Sequence, residues 1–196
     1  MALRSCHPAS IREALYQLPE SLDETYLRVL SEIPRENQAL AHRMLQCLVA
    51  AVRPLCVEEL VDLLAFEFEA AQGGIPKYCA ALRLGDQEEA LLSTCASLVT
   101  IITYDDHRTV QLSHFSVKEF LMSNRLGTFS RYQILLGPSH TTFMQACLRV
   151  LLHLDDEVDE ESMEDFPLAD YAARHWVEHA EFGDVASCIT DGMLRC

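Results

Sequence analysis

The chain has 196 residues, 49% of them apolar, and 30 Asp and Glu against 15 Lys and Arg give a formal net charge of −15. That size and apolar content suit a globular chain, in one large domain or two small ones, able to bury about 70% of its unfolded surface. The acidic balance, with Lys77 and Lys118 as the only lysines, weighs against nucleic acid and anionic membranes, which are bound through clustered positive charge. Neither lysine directly follows a glycine as a phosphate-binding P-loop requires.

No run of 18 apolar residues occurs, so no membrane-spanning helix is expected, and the N-terminal Met1 to Ser5 stretch lacks a hydrophobic signal core. Eight cysteines stand at irregular spacings with no CxxC pair. Cys47, Cys95 and Cys147 fall inside apolar helical patterns, which reads as reduced, buried thiols in a cytoplasmic protein.

In chain order, residues 9–17 read as a short helix ended by Leu18-Pro19. Ser21 and Glu24 form a capping box for a helix with Leu22, Tyr26, Val29, Leu30 and Ile33 inward, stopped by Pro34. A longer helix runs from about Glu36 to Val52 on a stripe of Ala41, Leu45, Leu48 and Val52. Arg53-Pro54 breaks it, and a third helix follows from about Val57 to Ala65. Residues 66–85 read as irregular, punctuated by Gly73-Gly74 and Pro76. An acidic cap at Asp86 to Glu89 opens a helix through Cys95.

The period then changes from helical to strand. Leu98 to Thr103 and Thr109 to His114 flank a polar turn and form a hairpin. Ser116 and Glu119 form a further capping box, with Phe115 and Phe120 as its hydrophobic staple. Gly127, Gly137 and Pro138 mark a linker, after which Ser139 caps a helix to about Leu154. Asp155 to Asp165 holds eight acids and no base and reads as a solvated loop, within which Asp156 to Asp159 spells a caspase-type tetrapeptide by chance. Helices start again at Pro167, running to about Ala180, and at Asp184.

Three helices, a two-stranded hairpin and another helix are the order of a winged helix. The expected fold is therefore mainly α (α+β), a winged-helix module with a hairpin wing flanked by helical segments. Its expected divisions are residues 1–35, a helical segment; 36–125, the winged helix; and 126–196, a C-terminal helical segment.

Four ordered motifs carry a family resemblance. Leu18-Pro19-Glu20-Ser21-Leu22-Asp23-Glu24-Thr25-Tyr26 resembles the LPxSLDETY element that follows the nucleotide-binding domain of fungal NACHT–ankyrin proteins. Ala51-Val52-Arg53-Pro54-Leu55 with Glu58-Glu59-Leu60 resembles their AxRPLxxEEL element. His114-Phe115-Ser116-Val117-Lys118-Glu119-Phe120-Leu121 is similar to their HFSVKEFL signature, and Phe166 to Trp176 matches FPLAxYAARHW. This region often carries the label of a GPI inositol-deacylase winged-helix domain, which describes a shared winged helix and not deacylase chemistry.

The resemblance implies a regulatory piece of a STAND-type NTPase switch. Its partners would be a NACHT domain, an ankyrin array and further copies of itself, with exposed apolar surface where they dock. The sequence given holds neither a Walker element nor an ankyrin repeat, so no cofactor is expected in the chain alone and ADP or ATP would enter only with a nucleotide-binding domain. In related switch proteins a histidine in the same HxSxxEFL context touches the diphosphate of bound ADP. By motif position that residue is His114; the plainer alternative is a strand-end histidine bonded to backbone.

Other constellations point more weakly to chemistry. Gly137-Pro138-Ser139-His140-Thr141 partly matches a nucleophile elbow but lacks the last glycine and the preceding strand, leaving Ser139 as a cap. With the deacylase label it supports a rival reading, a serine hydrolase, whose test is a histidine bonded to Ser139. His175 and His179 have the i, i+4 spacing of metal ligands without a third ligand, so packing is expected. Cys95 and His114 could meet as a dyad but lack an orienting group. A third reading, winged-helix DNA binding, is opposed by Asp86, Glu88 and Glu89 on the would-be recognition helix. The reading preferred is therefore a non-catalytic module with no metal.

Overall fold

A computed structural model describes residues 21–68, 76–82, 87–105, 107–156, 166–183 and 185. The expected helix over 9–17 and the helix from Asp184 lie outside these residues, as does the acidic loop expected at 155–165 except for Asp155 and Asp156, which end a helix. The fold is mainly helical with two small antiparallel sheets, as a winged helix requires.

Helix α1 (Leu22–Glu32) starts as its sequence dictates. The Ser21 hydroxyl accepts the Glu24 N–H at 3.2 Å, and Asp23 and Glu24 place negative charge at the positive end of the helix dipole. Ile33 turns to an extended conformation before Pro34, whose ring disfavours a helical residue ahead of it. After a 3-10 turn at Arg35–Asn37, α2 (Gln38–Ala50) buries Ala41, Met44, Leu45, Cys47 and Val49. An apolar face that wide marks the central helix of the core.

The loop through Arg53-Pro54 leads into β1 (Leu55–Cys56) and α3 (Val57–Leu64). Beyond α3 the sequence reads as irregular, but the structure forms a short antiparallel pair, β2 (Phe66–Glu67) with β3 (Lys77–Tyr78). Its stabilising contact is an edge-on packing of the Phe66 and Tyr78 rings at 5.3 Å, a cross-strand aromatic pair too short to show a period. Helix α4 (Gln87–Cys95) precedes the hairpin of β4 (Val99–Tyr104) and β5 (His107–Leu112). Asp105 has φ 45° at its turn, the left-handed conformation of tight two-residue hairpins and one that Asp tolerates.

The sheet has three strands where the sequence shows two. Its order is β1-β5-β4, with Leu55 opposite Val110 and Cys56 opposite Thr109. Helix α5 (Phe115–Met122) follows, then a 3-10 segment at Asn124–Tyr132 broken by Gly127 at φ 52°. The C-terminal part is an antiparallel-style helix pair, α6 (Leu136–Asp156) and α7 (Leu168–Glu181). Buried Asp62 of α3 accepts the Leu168 N–H at 3.4 Å, satisfying a donor at the start of α7.

One apolar cluster runs from Tyr26 on α1 to Ala172 on α7 and includes Leu45, Leu60, Leu91, Val110, Phe120 and Phe143. Cys47, Cys95 and Cys147 are free and buried, as expected, and burial pushes each thiol up to about 12. No described helix is long and apolar enough to cross a membrane.

Candidate functional site

A groove of about 480 Å³ opens between the Val52-Arg53-Pro54 loop, the end of β5 and the start of α5. His114, Phe115 and Lys118 form one side of it. A second depression of about 500 Å³ continues past Phe115 and Lys118 to Met122. The rim is apolar and open to solvent: Phe115 is 69% exposed, and Val52 and Met122 are also exposed.

The local chemistry at His114 corrects the expected capping box. The helix begins at Phe115, and its cap is His114, whose Nδ1 accepts the Ser116 N–H at 3.2 Å. The Ser116 hydroxyl is engaged elsewhere, 2.7 Å from the Tyr26 hydroxyl of α1 and 2.6 Å from His114 Nδ1. With the cap two residues earlier, Phe115 becomes the first helical residue and faces solvent, while Phe120 is buried. The two rings therefore do not form a staple. Because Nδ1 accepts a backbone N–H, the His114 proton sits on Nε2, a donor on an exposed residue at the groove.

This geometry separates the two residues energetically. Ser116→Ala is expected to cost about 1 kcal/mol, since it removes a side-chain hydrogen bond joining α5 to α1. His114→Ala is expected to cost a similar or smaller amount through loss of an exposed cap. Urea unfolding of the two variants, read against the wild type, checks both.

Beneath the groove lies an ion pair. Arg53 meets Glu59 through two bonds, Nη1 to Oε2 at 2.8 Å and Nη2 to Oε1 at 2.6 Å. Glu59 also accepts the Cys56 N–H at 2.8 Å, so one buried carboxylate caps α3 and holds the arginine. The Arg53 guanidinium stacks over the Tyr171 ring at 4.8 Å. The motifs at 51–60 and 166–176 thus meet in space.

From there a buried polar chain runs inward. The Val52 N–H donates to the Tyr171 hydroxyl at 3.2 Å, that hydroxyl lies 2.9 Å from His179 Nε2, and His179 Nδ1 lies 2.8 Å from His140 Nδ1. Tyr171 and His179 are fully buried and His140 nearly so. Burial pushes the Tyr171 phenol well above its ordinary value, and burial together with the His140 ring holds His179 down to about 4. Sequence spacing pairs His179 with His175, but the structure pairs it with His140, 39 residues away. His175 instead bonds Glu178 at 2.7 Å. No local pattern signals a partner so remote.

The remaining candidates stay apart. Ser139 lies inside α6 and does not cap it, because the helix begins at Leu136. Pro138 is accommodated there since the first turn needs no N–H from it. The Ser139 hydroxyl donates to the Leu135 carbonyl at 2.7 Å, not to a histidine. The Cys95 thiol packs 3.8 Å from the Ala41 carbonyl in the core while His114 is exposed, so they form no dyad. Among the described residues no group of three His, Cys, Asp or Glu could hold a metal. Helix α4 carries no basic residue, and Glu89 on it is exposed, a poor surface for phosphate.

Comparison with known proteins places this architecture. The family model described as "GPI inositol-deacylase, winged helix domain" matches residues 29–133. The chain is also 33% identical over 174 residues to azaphilone pigments biosynthesis cluster protein L of Monascus ruber, a match covering 84% of this chain and 36% of that protein. The chain therefore spans about a third of the length of the curated relative it matches. No solved structure matches it.

Proposed function

Since the chain belongs to the GPI inositol-deacylase winged-helix family, we propose that it is a non-catalytic docking module of a nucleotide-driven switch. In this reading residues 36–125 are the winged helix, residues 1–35 join it to a NACHT-type nucleotide-binding domain, and residues 126–196 lead toward an ankyrin-type array. The observation that carries the reading is the groove at His114. An exposed Phe115 ring, the Nε2 donor of His114 and the Lys118 ammonium stand together at the start of one helix. Apolar surface left open on a strongly acidic chain marks a place where protein docks. A cationic and N–H donor set beside it suits the phosphates of a nucleotide held by the docked domain.

His114 would hold that nucleotide and Lys118 would add charge; the nucleotide would supply the free energy of switching when bound. The serine hydrolase reading finds no support at Ser139, whose hydroxyl is committed to a carbonyl. DNA binding is opposed by the acidic, base-free α4.

The test is self-association and apolar dye binding by the purified chain. Sedimentation is expected to show oligomers, or an anilinonaphthalene dye to brighten, and Phe115→Ser to reduce either signal several-fold. A clean monomer that leaves the dye dark would overturn the docking reading. In a complex reconstituted with a NACHT-type domain, His114→Ala is expected to speed ADP release, and an unchanged rate would remove His114 from the site.

A further inference from the structure

The buried chain from Val52 to His140 has a property that the docking reading does not use. The directions of its hydrogen bonds are set by which histidine nitrogens carry protons. With the Val52 N–H donating to it, the Tyr171 oxygen keeps its own proton for a bare His179 Nε2, the tautomer in which every polar hydrogen of the chain has an acceptor. A histidine accepting at Nε2 and neutral overall carries its proton on Nδ1. That proton points at His140 Nδ1, 2.8 Å away, which must be bare, leaving the His140 proton on Nε2. One proton fills each link. When both histidines are charged, both Nδ1 atoms carry hydrogens that face each other across 2.8 Å, and the link between the rings breaks.

The rings cannot turn away to relieve such a clash. His179 stacks on Phe143 at 4.4 Å and 4°, and His140 stacks on Phe182 at 3.9 Å and 11°. The chain joins three parts of the fold: the loop after α2 through Val52, α6 through His140, and α7 through Tyr171 and His179. We propose that the Tyr171–His179–His140 chain is a proton-operated latch, which fastens α7 to α6 and to the winged helix while both histidines are neutral and releases it when they take up protons.

Charged neighbours bear on the latch from every side. Burial is the largest force holding both histidines neutral. Lys118 of α5 repels a proton on His140, and His175 of α7 repels one on His179, while Glu178 of α7 attracts one. Arg53, Glu59 and Cys147 surround the Tyr171 hydroxyl. The sign follows from linkage: both histidines have lowered values when latched, so the released state binds more protons below pH about 6.5. The latch is at full strength above that pH and weakens as pH falls toward about 4, the value of latched His179. Each proton taken up moves the latched-to-released ratio about ten-fold per pH unit within that window.

The chain's single tryptophan, Trp176, lies on α7 and packs against Met144, Ala180 and Val185, so its emission reports whether α7 is seated. Between pH 7.5 and 5 the wild type is expected to shift its emission to the red while its far-ultraviolet helical signal persists. His140→Gln/His179→Gln, which removes both titrating rings, is expected to lose that shift. His42 on α2 is half-buried and also has a lowered value, and the double variant separates its contribution from the latch. A wild type with constant Trp176 emission over this range, or a double variant with the same transition, would overturn the proposal. If the double variant does not fold at pH 7.5, imidazole titration of the wild type by NMR decides: His179 is expected to titrate near about 4 and His140 below its ordinary value, and ordinary values for both would overturn it. None of these readouts depends on docking, so the latch stands or falls apart from the proposed function.

Discussion

Phe120→Ala is expected to destabilise the fold by about 4 kcal/mol, the range for deleting a fully buried aromatic ring and leaving a partly relaxed cavity. Phe120 has no exposed surface, and its ring lies 5.4 Å from that of Tyr26 on α1. The Arg125 guanidinium sits over the same ring at 5.7 Å. Removal would therefore loosen the seam between α1 and α5 as well as the core. In thermal unfolding the midpoint should fall by about 10 °C. Urea unfolding should show an unchanged slope, since the surface exposed on unfolding is nearly the same. Phe115→Ala is the companion measurement. That ring is 69% exposed, and its loss should change stability by less than about 0.5 kcal/mol. Five residues apart, the two phenylalanines look equivalent in the sequence, and a comparable cost at both would contradict the His114 cap.

That pair shows where local pattern stops being informative. Ser21 caps α1 as its sequence indicates because both partners of the cap lie within one turn. The hairpin of β4 and β5 is equally plain, since alternation and a polar turn are local signals. The capping box at Ser116 has the same letters but fails, because Tyr26, 90 residues away, takes the Ser116 hydroxyl. Strand β1 has two residues, too few for a period, and exists only through its register with Val110 and Thr109. The start of α6 is obscured by Gly137-Pro138, which punctuates a sequence but costs little in a first helical turn. His114 and its motif are visible in sequence, and the structure adds the Nε2 donor and the exposed ring beside it. His140 carries no signal of its own until α6 and α7 pack and bring it to His179.

Glu59→Ala is expected to cost about 3 kcal/mol, the larger part of it local to the start of α3. The carboxylate is the acceptor for the Cys56 N–H at 2.8 Å and for both ends of the Arg53 guanidinium. Its side chain is only 6% exposed whereas that of Arg53 is 31% exposed. Breaking a buried pair from the carboxylate side leaves a positive charge with reduced access to water and an orphaned backbone donor, and both losses count. Arg53→Ala should cost less than an entirely buried arginine would, because the cation it removes already meets solvent. Glu59→Gln keeps an acceptor for the Cys56 N–H and loses only the charge, so its cost divides the capping role from the ionic one. The double variant Arg53→Ala/Glu59→Ala should be less destabilised than the sum of the single changes, since the two side chains share one interaction. Strict additivity in urea unfolding would mean that the two motif residues act separately. Non-additivity would show that Glu59 and Arg53 act as one unit, the unit that holds the guanidinium of the second motif over the Tyr171 ring of the fourth.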